Sequence, residues 1–205
     1  MEYANSTNPK FVGGAAARGV WAKTIETTDT VAALAFNEAC QGSFVKYATI
    51  ELDESTRRNT TIIANPVDTK LWKEKSERIY LLVRNGLVMK IGGTRTGMKD
   101  RWGSYLCGHC VQQRNKKDGT SFPGKMSVTN AHLYHTIESD MLSTSANWEI
   151  WCWKLPVTIV TVDILGEPTN IVAQTFHAYE TKCIKRFKDI TGRIPLLCDN
   201  SDPTY

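Results

Sequence analysis

From Ile79 to Ile91 the chain is nearly all apolar and rich in β-formers, IYLLV and then LVMKI, with Arg84-Asn85-Gly86 between the runs. Two such runs around Asn-Gly predict a β-hairpin, because both turn residues must take left-handed backbone angles that Asn and Gly tolerate. The length of the turn decides which side chains share a face. A two-residue turn at Asn85-Gly86 pairs Leu81 with Lys90 and sends Tyr80 and Lys90 to opposite faces. A three-residue loop, Arg84-Asn85-Gly86, pairs Tyr80 directly with Lys90. It also gathers Ile79, Leu81, Val83, Leu87, Met89 and Ile91 on one wholly apolar face, leaving Tyr80, Leu82, Val88 and Lys90 on the other. A slip of one residue exchanges the faces, so the cleaner apolar pattern selects the three-residue loop.

Gly92-Gly93 then permits a sharp change of direction, and a helix is expected from about Gly97 to Leu106. Arg101 and Tyr105 stand four apart and share a helical face, while Met98 and Trp102 form the neighbouring apolar stripe. Met98 stands where a phosphate-binding loop would need its lysine, so GGTRTGMK is not read as one. Upstream, Thr28-Asp29 is placed to cap a helix in VAALAFNEACQGSF; downstream, Thr129-Asn130 is placed to cap another bearing Leu133, Ile137 and Met141. Trp148–Leu155 and Val157–Leu165 read as strands parted by Pro156. From Thr169 a last helix is expected, with Val172, Phe176, Tyr179, Cys183 and Phe187 as its buried stripe and Gly192 and Pro195 at its end. Glu180 lies beside that stripe.

Composition adds little until charge is placed along the chain. The 205 residues are 41% hydrophobic and 22% charged, as in a water-soluble globular domain, and no apolar run is long enough to span a membrane. The N-terminal MEYANSTNPKFVGG lacks an apolar signal-type core, so a cytoplasmic protein is expected. The net charge is only +4, yet residues 84 to 125 hold nine Lys/Arg and two Asp, leaving sixteen basic and nineteen acidic residues elsewhere. Basic charge gathered beside the hairpin points to a polyanionic partner.

The hairpin, the basic helix and the late glutamate together resemble the GIY-YIG nuclease superfamily. Arg78-Ile79-Tyr80 stands for its first motif and Lys90-Ile91-Gly92 for its second. Arg101 and Tyr105 match its helix motif, and Glu180, in HAYETKCIKRF, matches its metal ligand. The pattern departs in Arg78 for Gly and in Lys90 for the second Tyr. A lysine there is known among the type II restriction endonucleases, and this chain is most similar to that branch. An asparagine that many members carry after the glutamate has no clear counterpart.

The resemblance implies an α+β fold: a small antiparallel sheet, hairpin plus third strand, flanked by helices, with an N-terminal arm and extra β elements. It divides the chain into residues 1–75 as an arm or helical extension, 76–195 as the nuclease core with inserted DNA-binding loops, and 196–205 as a tail. It also implies a prokaryotic, sequence-specific endonuclease for double-stranded DNA. Tyr80, Lys90, Arg101, Tyr105 and Glu180 would be catalytic. Free tyrosine ionises near about pH 10, and an ammonium opposite it favours the phenolate, so Tyr80 beside Lys90 is a candidate general base. Arg101 can fork onto phosphate oxygens, and Tyr105 can bind phosphate or water. Glu180 would hold Mg²⁺ or another divalent cation. Arg95, Lys99, Arg114, Lys116, Lys117 and Lys125 would contact DNA phosphates. Cutting both strands of a palindrome points to a homodimer.

A second signal competes. Cys107-Gly108-His109-Cys110 spells a disulfide-isomerase tetrapeptide, or half of a zinc site that His132, His135 or Cys152 could complete. It follows a helix rather than a strand, Leu106 replaces the usual Trp, and no second CxxC exists in the chain. Two further readings are a DNA-binding module without catalysis and a homing or repair nuclease.

Overall fold

The computed structural model describes residues 15–55, 57–111 and 128–198. Its frame is one five-stranded antiparallel sheet in the order β2-β1-β5-β3-β4, built from β1 (Val45–Leu52), β2 (Ile62–Pro66), β3 (Arg78–Arg84), β4 (Leu87–Thr94) and β5 (Trp148–Lys154). Helices α1 (Ala15–Trp21), α2 (Ala33–Ala39), α3 (Thr69–Lys73), α4 (Met98–Leu106), α5 (Val128–Thr144) and α6 (Phe176–Thr191) surround it, and β6 (Thr158–Ile164) with β7 (Glu167–Ala173) forms a separate hairpin. The fold is therefore α+β, as expected, with a wider sheet. Residues 1–75, expected as an arm, supply β1 and β2 to the same sheet, so the expected boundary at 75/76 falls inside one hydrogen-bonded layer.

Both faces of the sheet are covered. On one, Tyr80, Leu82, Met89, Trp148 and Ile150 pack with Met98, Trp102 and Tyr105 of α4 and Leu133, Ile137 and Met141 of α5. On the other, Ile79, Leu81, Val83, Val88 and Ile91 pack with Phe36 of α2 and Phe176, Cys183 and Phe187 of α6. β3, an inner strand between β5 and β4, is buried along almost its whole length. A strand covered on both sides has no polar face, which is why it reads as a continuous apolar run.

That double burial explains the main correction. The β3–β4 turn has two residues, with Arg84 paired to Leu87 and left-handed Asn85 and Gly86 between them. The three-residue loop and the direct Tyr80–Lys90 pair are not formed; Tyr80 pairs with Gly92 and Leu82 with Lys90. A β-bulge follows the turn: Val83 pairs with Val88, Leu82 with Lys90, and Met89 is the extra residue. The bulge shifts the register by one residue, so Lys90 still shares the Tyr80–Leu82 face, two positions along from Tyr80. Val88 and Met89 consequently exchange the faces expected for them.

The last helix begins at Phe176 rather than Thr169, and Val172 is an exposed residue of β7. The segment TNIVAQTF fits a helical stripe as well as a strand, and pairing with β6 decides the matter. At the far end Gly192 takes the left-handed cap conformation that stops α6.

Candidate active site at the edge of β4

β4 is an edge strand, and its C-terminal half carries two adjacent glycines that point to opposite faces. Each makes room for a candidate catalytic side chain. A Cβ on Gly92 would lie 2.2 Å from the Tyr80 hydroxyl, so the phenol can cross the strand only over a glycine. A Cβ on Gly93 would lie 2.5 Å from Phe176 and 2.9 Å from Glu180 Oε2. Tyr80 is thus seated on the α4 side and Glu180 on the α6 side of one strand end. The Lys-Ile-Gly-Gly segment gains a steric meaning: its glycines admit the groups that meet there.

On the α4 side the Tyr80 and Tyr105 hydroxyls are hydrogen-bonded to each other, and Arg101 Nε donates to the Tyr80 oxygen at 3.0 Å. The guanidinium lies 4.5 Å from the centre of the Tyr105 ring. The spacing of four between Arg101 and Tyr105 therefore brings both to Tyr80, as the helix reading expected. Both phenols are wholly buried. Burial pushes the Tyr80 pKa well above the usual tyrosine value, with Tyr105 adding to the rise and Arg101 and Lys90 opposing it. Lys90 does pull in the expected direction, but burial outweighs it, so the expected net lowering does not occur. Tyr105 is raised by burial too, against the pull of Arg101.

Lys90 is 6% exposed and faces the same side of the sheet. Its Nζ donates to the Leu197 carbonyl at 2.8 Å. The chain beyond Gly192 returns to lie along β4, where the Leu197 amide donates to Met89 O at 2.9 Å. No motif pointed to this contact, because it is made by main chain 107 residues away.

Glu180 looks into a cleft of about 630 Å³ lined by Thr94, Arg95, Asp100, Arg101, Ser104 and His177, among others. Arg101 and Glu180 therefore face one cavity, with the two tyrosines buried behind the arginine. Burial raises the Glu180 pKa, while Lys90, His177, Arg101 and the Gly93 amide favour its ionised form. His177 Nδ1 stands 4.0 Å from Glu180 Oε2, a neighbour the sequence reading did not single out. One carboxylate on an open polar cleft fits a hard cation that keeps most of its water, as Mg²⁺ does.

Of the residues expected on DNA, Arg95 and Lys99 are exposed, and Arg95 lines the cleft. Arg114, Lys116, Lys117 and Lys125 lie outside the described residues. Cys107–Cys110 forms a short 3₁₀ turn after α4, with both thiols exposed and Cys110 Sγ 2.9 Å from His109 Nε2. The ligands imagined to complete a zinc site are engaged elsewhere. His132 bonds the Trp21 carbonyl, His135 bonds Glu138, and Cys152 is buried within β5. Among the described residues no cluster of three or more His, Cys, Asp or Glu could hold a metal.

No family model and no curated protein sequence matches the chain. Among solved structures, the chain is similar to restriction endonuclease HPY188I in complex with product DNA, with 20% identity, a TM-score of 0.45, and 84% of this chain and 88% of that one covered. It is also similar to a mutant of bacteriophage T4 EndoII, with 21% identity, a TM-score of 0.48, and 74% and 93% covered.

Proposed function

We propose that this chain is a metal-dependent endonuclease that hydrolyses phosphodiester bonds of double-stranded DNA at specific sequences, as type II restriction enzymes do. The observation that carries the reading is the cluster at the β4 edge, where Arg101 joins the Tyr80–Tyr105 pair to a cleft that also holds Glu180. In that cleft Arg101 and Arg95 offer cationic partners to a phosphodiester, and Arg101 is placed to offset charge that develops in the transition state. The phenol pair is the proton store. Once it loses one proton, the hydroxyl–hydroxyl bond can share the one that remains, and the resulting charge faces Arg101 and Lys90. Tyr80 in that state can accept a proton from an attacking water once Arg101, which stands between the phenol and the cleft, turns toward the phosphate. Glu180 would hold the divalent cation, with Mg²⁺ as the proposed ion, which when bound stabilises charge on the leaving oxygen. Cutting both strands requires two such sites, and a two-fold homodimer would supply them.

Digestion of a plasmid with the protein and Mg²⁺ tests the reading, discrete fragments being the expected result. Glu180→Gln should abolish cleavage, by at least about a thousandfold, while still retarding DNA in a gel. Retardation without cutting by the unaltered protein would make it a DNA binder. Full cleavage by the variant would remove Glu180 from the mechanism.

A further inference from the structure

The segment Pro195–Cys198 lies along the outer edge of β4, the side that no other strand occupies among the described residues. Four bonds fasten it there. The Leu197 amide donates to Met89 O at 2.9 Å, Lys90 Nζ donates to Leu197 O at 2.8 Å, the Ile91 amide donates to Cys198 Sγ at 3.5 Å, and Cys198 Sγ donates to Ile91 O at 3.3 Å. Leu197 and Cys198 are both buried, one in each of the two cores. The strap thus spans the strand edge and closes both faces around the residues that flank Lys90.

Lys90 is a buried ammonium with three N–H donors, and Leu197 O is its only hydrogen-bond partner among the described residues. Such a buried charge needs an acceptor to be held in place. A peptide carbonyl supplies one without neutralising the charge, as a carboxylate partner would. The ammonium therefore keeps its field on Tyr80, which lies on the same face of the sheet and whose ionised form it favours.

We infer that the Pro195–Cys198 strap belongs to the active site, and that the Leu197 main-chain carbonyl is the positioning group that holds Lys90 on the Tyr80 face of the sheet. The inference rests on the reading of Lys90 as part of a nuclease site. Without that carbonyl the long side chain can swing away, and the phenol loses a cation that lowers its pKa.

The experiment compares a chain ended at Ile194 with one ended at Cys198. A second variant, Leu197→Pro, removes the amide that anchors the strap to Met89. Rates are measured per active site across pH, and folding is followed by circular dichroism. Loss of the strap should lower kcat by about tenfold to a hundredfold and leave KM for DNA within about twofold. The acidic limb of the pH profile should move up by about one pH unit, because Tyr80 ionises less readily. In a Lys90→Met background strap removal should change nothing further, since the strap acts through that side chain. Unchanged kcat and pH profile in folded strap variants would overturn the inference. So would an equal loss in the Lys90→Met background, or loss of fold in both strap variants, which would make the strap only structural. If Lys90→Met itself cleaves at full rate, the site reading fails instead.

Discussion

Two hairpins in this chain start from the same local design and end differently. β3–β4 and β6–β7 each close with a two-residue turn whose residues are both left-handed, Asn85-Gly86 in one and Leu165-Gly166 in the other. β6–β7 keeps a regular ladder from Thr158–Ala173 to Ile164–Glu167, has no third strand among the described residues, and is largely exposed, with Leu165 100% accessible at its tip. β3–β4 is bulged, paired to β5 along β3, strapped along β4 and buried on both faces. Turn chemistry and alternation make a hairpin; they do not make a site. Long-range partners assemble the candidate site here: α4 brings Arg101 and Tyr105, α6 brings Glu180, and the strap brings a carbonyl.

The largest expected contrast comes from removing one hydroxyl from each hairpin. Tyr80→Phe leaves the Arg101 Nε donor facing an apolar ring and takes away the proposed base. Cleavage should fall by about a hundredfold to ten-thousandfold, the range for losing a general base. Thr161→Val removes the exposed bond from Thr161 Oγ1 to Asn170 Oδ1 and should leave cleavage unchanged. Its effect on stability should stay within about 0.5 kcal/mol, as for most surface changes. Single-turnover cleavage and urea unfolding of both variants measure the contrast. Equal effects on cleavage would mean that the β4 edge is not the reacting site.

The same contrast shows what could be read in advance. The strands, the Asn85-Gly86 turn and α4 are legible, because short apolar runs, turn residues and the spacing of Arg101 and Tyr105 are local signals. The register was not. Val88 and Met89 are both apolar, and both faces are buried, so exchanging them leaves no polar residue misplaced to reveal the bulge. Glu180 stood out through the family resemblance, but its seat over Gly93 depends on how α6 crosses β4. The hold on Lys90 is main chain, to which side-chain identity gives no clue. The start of α6 is not legible in the sequence, because β7 carries an apolar spacing that suits a helix as well, until β6 pairs with it.

A second pair of variants sharpens the comparison at the level of shape. Gly92→Ala would place a methyl 2.2 Å from the Tyr80 hydroxyl, an overlap that the phenol or the strand must relieve by moving. Overpacking of this kind costs roughly 1–3 kcal/mol. The displaced phenol should also lower kcat by about tenfold to a hundredfold, since misplacement by an ångström has effects of that order. Kinetics beside thermal unfolding would register both. An unimpaired Gly92→Ala variant would mean that Tyr80 need not sit over Gly92 for the proposed activity.

Gly166→Ala is the counterpart in the exposed hairpin and should have a smaller effect than Gly92→Ala. Nothing lies within 4 Å of a Cβ there, so the only strain comes from the backbone, held at φ +87°. A non-glycine residue in the left-handed region costs on the order of 1–2 kcal/mol. Among the described residues β6 pairs with no strand but β7, so the hairpin can open with little disturbance to the five-stranded sheet. Amide hydrogen exchange should therefore quicken by about fivefold to thirtyfold along β6 and β7, as that strain implies. Exchange in β3 and β5, the global melting temperature and cleavage should all hold at their original values. If the quickening spread into β3, or if cleavage fell with it, the two hairpins would be coupled and the exposed one would have a part in the site after all.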